Sequence, residues 1–282
     1  MAVLVRDVKE MQRTAESLRS QGKRIGVVPT MGYLHKGHLK LIEVAKQHAD
    51  VVVTTNFVNP TQFGPAEDFS RYPRDLGRDT ELASRAGTDI VFAPDTTAMY
   101  PDGYATYVEV ERLTNVLEGR SRPGHFRGVA TIVAKLFNIT RPHVAVFGQK
   151  DAQQVVVVRQ MLKDLDFDID LIVCPIVREA DGLAMSSRNT YLSPEQRLQA
   201  TALFKSLKLA EELIKSGERQ SPLVLERMVD LITRNSSGVI DYISIADAMT
   251  LQELTQCKGP LLISLAVRFG STRLIDNTTI TV

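Results

Sequence analysis

One continuous stretch decides the fold of this chain: IGVVPTMGYLHKGHLKLIEVAKQHADVVVTTNFV, residues 25–58. It opens and closes on apolar runs, and between them apolar residues recur at helical spacing. The pattern predicts a strand over 25–29, a helix over 37–48 and a second strand over 51–58. A strand, a helix and a strand of these lengths form a βαβ unit, in which the two strands pair in parallel.

Two histidines, His35 and His38, stand at the predicted start of the helix. A helix N-terminus offers unpaired backbone N–H groups and a partial positive charge, so it is a ready site for phosphate. The two rings share one helix face, and Gly37 between them leaves room for a ligand. We expect imidazolium N–H groups here to stabilise charge on a reacting α-phosphate. A zinc site is excluded, because zinc needs three or four protein ligands and only two histidines are present here. The remaining alternative to a phosphate site is a pair of solvated histidines with no binding role.

The alternation of strands and helices continues to about residue 180, with further strands at 90–93, 144–147 and 169–177 and further helices at 7–20, 74–86, 129–140 and 152–165. This order predicts an α/β fold, a parallel sheet with helices on both faces. Beyond it come helices at 194–215 and 221–235, then strands at 240–246, 261–269 and 274–282. We therefore predict two domains, 1–180 and a smaller C-terminal α+β domain over 181–282.

Composition narrows the class of partner. The 282 residues carry a net charge of +1 and are 44% apolar, which predicts a sizeable core and no nucleic-acid partner. No apolar run reaches the ~20 residues of a membrane span, and the start does not resemble a signal peptide. Cys174 and Cys257 match no metal or redox spacing. We expect a reduced, cytoplasmic protein.

Two polar clusters are candidates for binding a triphosphate. The first cluster, Gly148-Gln149-Lys150-Asp151, follows an apolar strand. Its lysine can bind phosphate and its aspartate can bind Mg²⁺. The alternative role for Asp151 is to cap a helix. In Met185-Ser186-Ser187-Arg188, two hydroxyls and a guanidinium suit β- and γ-phosphates. A serine-rich turn between domains is the alternative.

Neutral amides and a basic loop complete the candidates. Asn59, Gln62 and Gln154 hydrogen-bond hydroxyls and carboxylates without adding charge, which favours a polar, hydroxylated acid as substrate. A proline-centred turn with solvated amides is the alternative for Asn59 and Gln62. The segment 122–128, RPGHFRG, is either a mobile anion-binding loop or an ordinary surface loop.

Seven segments, taken together and in order, resemble the pantoate–beta-alanine ligase family: PTMG (29–32), HKGH (35–38), FVNPTQF (57–63), YPRD (72–75), RPGHF (122–126), FGQKDAQQ (147–154) and VREADGLAMSSRN (177–189). The likeness covers nearly the whole chain. The His-x-Gly-His element alone is shared by a wider nucleotidyltransferase superfamily that includes class I aminoacyl-tRNA synthetases. The first and third segments narrow the resemblance to this family.

The resemblance implies a Rossmann-like domain, a smaller C-terminal domain that closes over ATP, and a homodimer. It implies that ATP, with Mg²⁺, activates pantoate as pantoyl adenylate, which β-alanine then attacks to give pantothenate. His38 is then the proton donor, with His35 and Lys150 as further catalytic residues. The implied ATP site comprises Met31, Gly32, Tyr33, Leu34, His35, Lys36, Gly37, His38, Gly148, Gln149, Lys150, Asp151, Val177, Met185, Ser186, Ser187 and Arg188. Gln62 and Gln154 hold pantoate, with Asn59 as a secondary candidate, and Gln62 also borders β-alanine.

Three other functions compete with this one. A nucleotidyltransferase acting on a phosphorylated acceptor shares the histidines but needs cations where Asn59 and Gln62 stand. A tRNA synthetase is disfavoured by the near-neutral charge. A non-catalytic nucleotide sensor has no use for both histidines together with Lys150.

Overall fold

The computed structural model describes residues 1–65 and 67–282. Its strands, in chain order, are β1 (Val3–Val5), β2 (Ile25–Thr30), β3 (Val51–Asn56), β4 (Ile90–Phe92), β5 (Val144–Gly148), β6 (Asp170–Cys174), β7 (Val239–Asp247), β8 (Pro260–Phe269) and β9 (Thr272–Thr281). Its helices are α1 (Val8–Ser20), α2 (Lys36–His48), α3 (Leu76–Ala86), α4 (Thr96–Met99), α5 (Glu118–Ser121), α6 (His125–Thr140), α7 (Ala152–Asp164), α8 (Pro194–Gln199), α9 (Thr201–Lys215) and α10 (Ser221–Asn235). Among the described residues, none of these helices is long and apolar enough to cross a membrane.

The chain divides into two compact units. The first comprises residues 1–148 and 157–175, and the second comprises 149–156 and 176–282. The short segment 149–156, which the sequence analysis assigned to the first domain, thus groups with the C-terminal residues. Because this segment contains Gln149, Lys150 and Asp151, the second unit carries more of the candidate site than its position in the chain suggests.

The first unit contains the predicted parallel sheet, in the order β1-β4-β3-β2-β5-β6. Every strand pair in it is parallel, which confirms the α/β class. One face packs on α2, where Ile42 and Ala45 meet Val28 and Val146 in a buried core. The other face is covered by α1 and α6. Burying the sheet on both faces requires apolar residues at consecutive strand positions, and the runs in β2 and β3 supply them.

Several predicted boundaries shift for identifiable reasons. Strand β6 ends at Cys174 rather than 177, because Pro175 has no N–H to continue the ladder. Helix α3 begins at Leu76, where the Asp75 side chain caps it by accepting from the Arg78 N–H at 3.0 Å. Strand β1, a three-residue edge strand, was not predicted; its pairing with β4, not its own length, makes it a strand.

The second unit contains the antiparallel sheet β7-β8-β9. One face of this sheet packs against α9 and α10, with Leu203, Met228 and Leu265 in the shared core. The predicted helix over 194–215 is wrong in one respect, since it is interrupted at Ala200 and forms α8 and α9. No Gly or Pro marks this interruption in the sequence, so residue propensity could not reveal it.

Candidate active site

The loop between β2 and α2 has an unusual backbone. Gly32 and Tyr33 adopt positive φ values of 83° and 51°. A Cβ on Gly32 would lie 2.5 Å from Oδ1 of Asn56, so this position admits only glycine without rearrangement. Thr30 fixes the start of the loop, because its hydroxyl accepts from the Gly32 N–H at 3.1 Å and donates to the Thr55 carbonyl at 2.6 Å.

Asp79 holds the same loop from α3. Its carboxylate is 1% exposed and accepts hydrogen bonds from the backbone N–H groups of Tyr33 (2.6 Å) and Leu34 (2.7 Å) and from Nδ2 of Asn56 (3.0 Å). The neighbouring Arg78 donates to the Leu34 carbonyl at 2.9 Å and lies over the Tyr33 ring. Sequence reasoning missed Asp79. The available signal was an acidic residue on the buried face of α3, four residues before the core residue Ala83.

His35 and His38 form a reciprocal cap at the start of α2. Nδ1 of His35 accepts from the Gly37 N–H at 3.1 Å, and Nδ1 of His38 accepts from the His35 N–H at 3.3 Å. The ring centroids lie 4.1 Å apart. Because each Nδ1 is an acceptor, the ring hydrogen is assigned to Nε2. The N–H donors that the sequence predicts for a reacting α-phosphate are therefore assigned to Nε2 of each ring.

Gln62 is held at its side chain by buried amide contacts. Asn59, 1% exposed, donates from Nδ2 to Oε1 of Gln62 at 3.0 Å and to the Gly128 carbonyl at 3.1 Å. Its own oxygen accepts from the hydroxyl of Tyr100 at 2.8 Å. Nε2 of Gln62 points to the sulfur of Met31, 3.3 Å away. In this structure Asn59 orients Gln62, and Gln62 lies beside the loop that precedes the two histidines.

Gln62 is also held at its backbone, by the basic segment 122–128, for which the sequence allowed either an anion-binding loop or an ordinary surface loop. Nδ1 of His125 donates to the Gln62 carbonyl at 2.8 Å, and Arg122 approaches Nε2 of His125 at 3.1 Å. Arg122 forms a two-point ion pair with Glu67 at 2.6 and 2.7 Å. Burial, reinforced by the Arg122 charge, lowers the pKa of His125 to about 4. The segment is therefore a packed support for Gln62 rather than an open anion-binding loop.

Three residues of the cluster around Lys150 lie in the second unit, in a 3-10 helix over Gln149–Asp151 directly before α7, and Gly148 ends β5 in the first unit. The ammonium of Lys150 lies 3.7 Å from the carboxylate of Asp151, which is half exposed. Lys150, Ser186 and Asn189 contribute to the lining of one pocket of about 210 Å³, counting the space open to solvent. The structure thus brings the two predicted triphosphate clusters together.

The segment 185–188 folds back on residue 177 of the same unit. The N–H of Met185 donates to the carbonyl of Val177 at 3.0 Å. Ser186 caps the short 3-10 helix Ser187–Tyr191 by accepting from the Arg188 N–H at 3.2 Å. Gln154 lies in the first turn of α7, in the same unit. Each unit therefore carries its own group of candidates: 31–38, Asn59, Gln62 and Gly148 in the first, and 149–151, 154, 177 and 185–188 in the second.

No group of three or more His, Cys, Asp or Glu side chains is placed to hold a metal ion in the described part of the chain. A magnesium ion that accompanies a nucleotide needs only one or two carboxylates, because phosphate oxygens and water complete its octahedron. The half-exposed carboxylate of Asp151 fits that requirement.

Known proteins resemble this chain over nearly its whole length. A family model described as pantoate-beta-alanine ligase matches residues 3–279. The pantothenate synthetase of Acetivibrio thermocellus is 59% identical over 273 residues, which cover 97% of this chain and 96% of the relative. That of Moorella thermoacetica is 56% identical over 274 residues, 97% of each chain.

Two solved structures share the fold of this chain. Pantothenate synthetase from Thermus thermophilus superposes with a TM-score of 0.92 at 45% identity, covering 98% of each chain. A pantoate-beta-alanine ligase from Francisella tularensis, solved with beta-gamma ATP and beta-alanine, superposes with a TM-score of 0.80 at 34% identity, covering 99% of this chain and 97% of that one. The chain therefore belongs to the pantoate-beta-alanine ligase family and is an enzyme of the ligase class.

Proposed function

We propose that this enzyme condenses (R)-pantoate with β-alanine in two steps that consume ATP. A carboxylate oxygen of pantoate attacks the α-phosphorus, an O–P bond forms, and pyrophosphate leaves. The amine of β-alanine then attacks the acyl carbon of the pantoyl adenylate. A C–N bond forms, AMP leaves with the acyl C–O electron pair, and the amine loses its proton.

The observation that carries this proposal is the contact of Gln62 with Met31, 3.3 Å from Nε2 to Sδ. It places a neutral amide donor, suited to a carboxylate or hydroxyl, beside the loop that leads into a helix-start phosphate site. An acid and an α-phosphate bound at these two positions are neighbours. Adenylation is the reaction that such a pair of substrates undergoes, since it converts a poor electrophile into a mixed anhydride.

The two histidines stabilise the first transition state. Their Nε2–H groups donate to non-bridging oxygens of the α-phosphate as negative charge builds there. Nε2 is the donor atom in this assignment, because Nδ1 of His35 accepts from the Gly37 N–H and Nδ1 of His38 accepts from the His35 N–H. The remaining task of the protein is to hold the reacting atoms in line.

The β- and γ-phosphates are assigned to Lys150, Ser186, Ser187 and Arg188. Lys150 and Ser186 share a pocket, which supports this assignment. We assign Mg²⁺ to Asp151, where the ion neutralises part of the triphosphate charge when bound. Pantoate is assigned to Gln62 and Gln154, and β-alanine to the side of Gln62. The Francisella tularensis relative was solved with beta-gamma ATP and beta-alanine, which supports ATP and β-alanine as substrates.

A nucleotidyltransferase acting on a phosphorylated acceptor is disfavoured by the surroundings of Gln62. The arginine nearest to its carbonyl, Arg122, is neutralised by Glu67. The two side chains that meet at this point, Asn59 and Gln62, are uncharged amides. We also propose a cytoplasmic homodimer; the buried, unpaired Cys174 and Cys257 suit a reducing compartment.

The deciding experiment is isotope exchange between ATP and pyrophosphate. We expect exchange that requires pantoate and does not require β-alanine, because only the first step makes and consumes pyrophosphate. Exchange in the absence of pantoate, or none from folded protein with pantoate present, would contradict the proposal. The matched control replaces pantoate by β-alanine alone, which should give no exchange.

A further inference from the structure

The C-terminal strand β9 carries two neighbouring buried polar residues, Asp276 and Asn277, which the sequence analysis did not single out. They hydrogen-bond to the two loops that contain the triphosphate candidates. We propose that Asn277 and Asp276 are positioning residues of the nucleotide site: Asn277 sets the direction of Lys150, and Asp276 holds the segment that leads to Ser186. The inference rests on the proposed function, in that it assigns these loops to ATP.

Asn277 acts on the turn that contains Lys150. Its Nδ2 donates to two consecutive carbonyls, Gln149 at 3.0 Å and Lys150 at 2.9 Å. Its Oδ1 accepts from Nε2 of Gln149 at 3.1 Å. Both amide hydrogens and the oxygen are therefore used, and the side chain is 3% exposed. Holding two successive carbonyls fixes the two peptide planes on either side of Cα of Lys150, and with them the Cα–Cβ direction of that residue.

Asp276 acts on the other loop through Arg178. Its carboxylate, 2% exposed, accepts from Nη1 of Arg178 at 2.7 Å and from Nη2 at 3.0 Å. Arg178 in turn donates to the carbonyl of Gly182 at 3.0 Å. The loop is closed by an isolated bridge between Arg178 and Ala184. A two-point guanidinium–carboxylate pair restricts orientation as well as distance. The pair with Asp276 therefore fixes the position of Arg178, from which the chain leads to Ser186.

The two contacts are coupled at the strand. The N–H of Asn277 donates to Oδ1 of Asp276 at 2.8 Å, and Arg178 also approaches the Asn277 carbonyl at 3.4 Å. Asp276, Lys150 and Ser186 contribute to the lining of the same pocket. One dipeptide thus sets the relative placement of an ammonium and a hydroxyl that both face a bound triphosphate in the proposed site.

The adjacent residue Thr278 provides a matched control. Its hydroxyl donates to Glu211 of α9 at 2.6 Å, on the face of β9 opposite to that of Asn277. Thr278→Val removes a side-chain hydrogen bond from the same strand without touching either loop. A purely structural role for β9 would make this substitution and Asn277→Ala equivalent in their effect on nucleotide binding.

The test measures the Kd of ATP by titration calorimetry, without pantoate, for the wild type, Asn277→Ala and Thr278→Val. Losing two backbone contacts should raise the Kd about tenfold in Asn277→Ala, against less than about twofold in Thr278→Val. In steady state, the KM for ATP should rise and the KM for pantoate should stay within about twofold. If Asn277→Ala does not fold, Asn277→Ser, the smaller change, takes its place.

A double-mutant cycle decides whether Asn277 acts through Lys150. In a Lys150→Ala background, Asn277→Ala should raise the Kd of ATP by less than about twofold, because the side chain that it positions is absent. An equal effect in both backgrounds, or wild-type ATP affinity in Asn277→Ala, would overturn the proposal. These Kd values do not depend on catalysis. If wild-type protein binds ATP but shows no pantoate-dependent exchange, the proposed reaction is wrong. The Kd values of the variants still decide whether Asn277 positions Lys150.

Discussion

The carboxylate of Asp79 accepts the backbone N–H of Tyr33 at 2.6 Å, and Tyr33 has a left-handed backbone. A non-glycine residue in this conformation costs about 1–2 kcal/mol, so the fold around it must offset that cost. Asp79 does so from α3, by accepting N–H groups that the loop cannot pair internally. The phosphate-site loop is therefore shaped by a residue that lies 46 positions away in sequence.

Replacing Asp79 by Asn should loosen this loop. The variant keeps the shape but has one acceptor oxygen where two were used, so at least one of the Tyr33 and Leu34 N–H groups loses its partner. We expect kcat/KM for ATP to fall by about tenfold to a hundredfold. Glu81→Gln, an equal charge change at an exposed position of α3, is the control and should stay within about twofold. A wild-type kcat/KM in Asp79→Asn would contradict the positioning role.

His38 variants test the assignment of Nε2 as the donor. His38→Ala should lower the single-turnover rate of adenylate formation by about a hundredfold to a thousandfold, the usual effect of removing one preorganised donor. His38→Gln extends an amide N–H towards the Nε2 position, whereas His38→Asn reaches only the Nδ1 position that caps the helix. We therefore expect the rate order His, Gln, then Asn with Ala. Asn above Gln would show that the capping contact, not the donor, matters for rate.

Gln62→Ala should weaken pantoate more than ATP. The carboxamide of Gln62 is already oriented by Asn59 before substrate binds, so its loss should cost about 1–3 kcal/mol in pantoate binding. Fluorescence or calorimetric titration of each substrate separates the two affinities. Gln47→Ala, at an exposed position of α2, is the control. Equal losses of pantoate and ATP affinity in Gln62→Ala would argue against its role.

The lowered pKa of His125 predicts how the free energy of unfolding changes with pH. Its pKa falls from 6.5 to about 4 in the folded protein, so between these values the unfolded chain binds the proton first. The free energy of unfolding should decrease as the pH falls from about 6.5 to about 4, by about 3 kcal/mol in all. Above pH 6.5 this contribution is fully present.

His125→Asn isolates that contribution. Asn offers an N–H near the Nδ1 position that donates to the Gln62 carbonyl, but it does not titrate. Denaturant unfolding of the two proteins at about pH 7 and about pH 4.5 should show a smaller pH effect in the variant. Identical pH dependence in both would mean that His125 is not the group responsible.

The sequence predicted the βαβ unit correctly, because its signals are local. Alternating apolar runs and a helix-length segment between them are properties of neighbouring residues, and 25–58 contains them all. The parallel sheet, the second α+β unit and the family follow from similar patterns and motifs. The break at Ala200 and strand β1 were missed, since neither leaves a local signal: one has no breaker residue, and the other is a strand only because β4 lies beside it.

The candidate site, like the fold, was predicted from the sequence only in part. The residue types were readable from the sequence: two histidines at a helix start, a lysine and serines after strands, and uncharged amides near them. Their hydrogen-bond partners and their support were not. The ring nitrogen of each histidine that faces a ligand depends on which backbone N–H group reaches Nδ1, and the orientation of Gln62 depends on Asn59 and His125.

By itself, then, the sequence determined the fold class, the family and the chemical groups available for catalysis. Only the tertiary structure decided how those groups are held: Asp79 at the histidine loop, His125 at Gln62, and Asp276 and Asn277 at the two triphosphate loops. The physical reason is sequence distance. Periodicity and motifs report interactions between residues a few positions apart, whereas these supports join residues from 45 to 128 positions apart, and nothing in the local sequence specifies which long-range partner a buried polar group will meet.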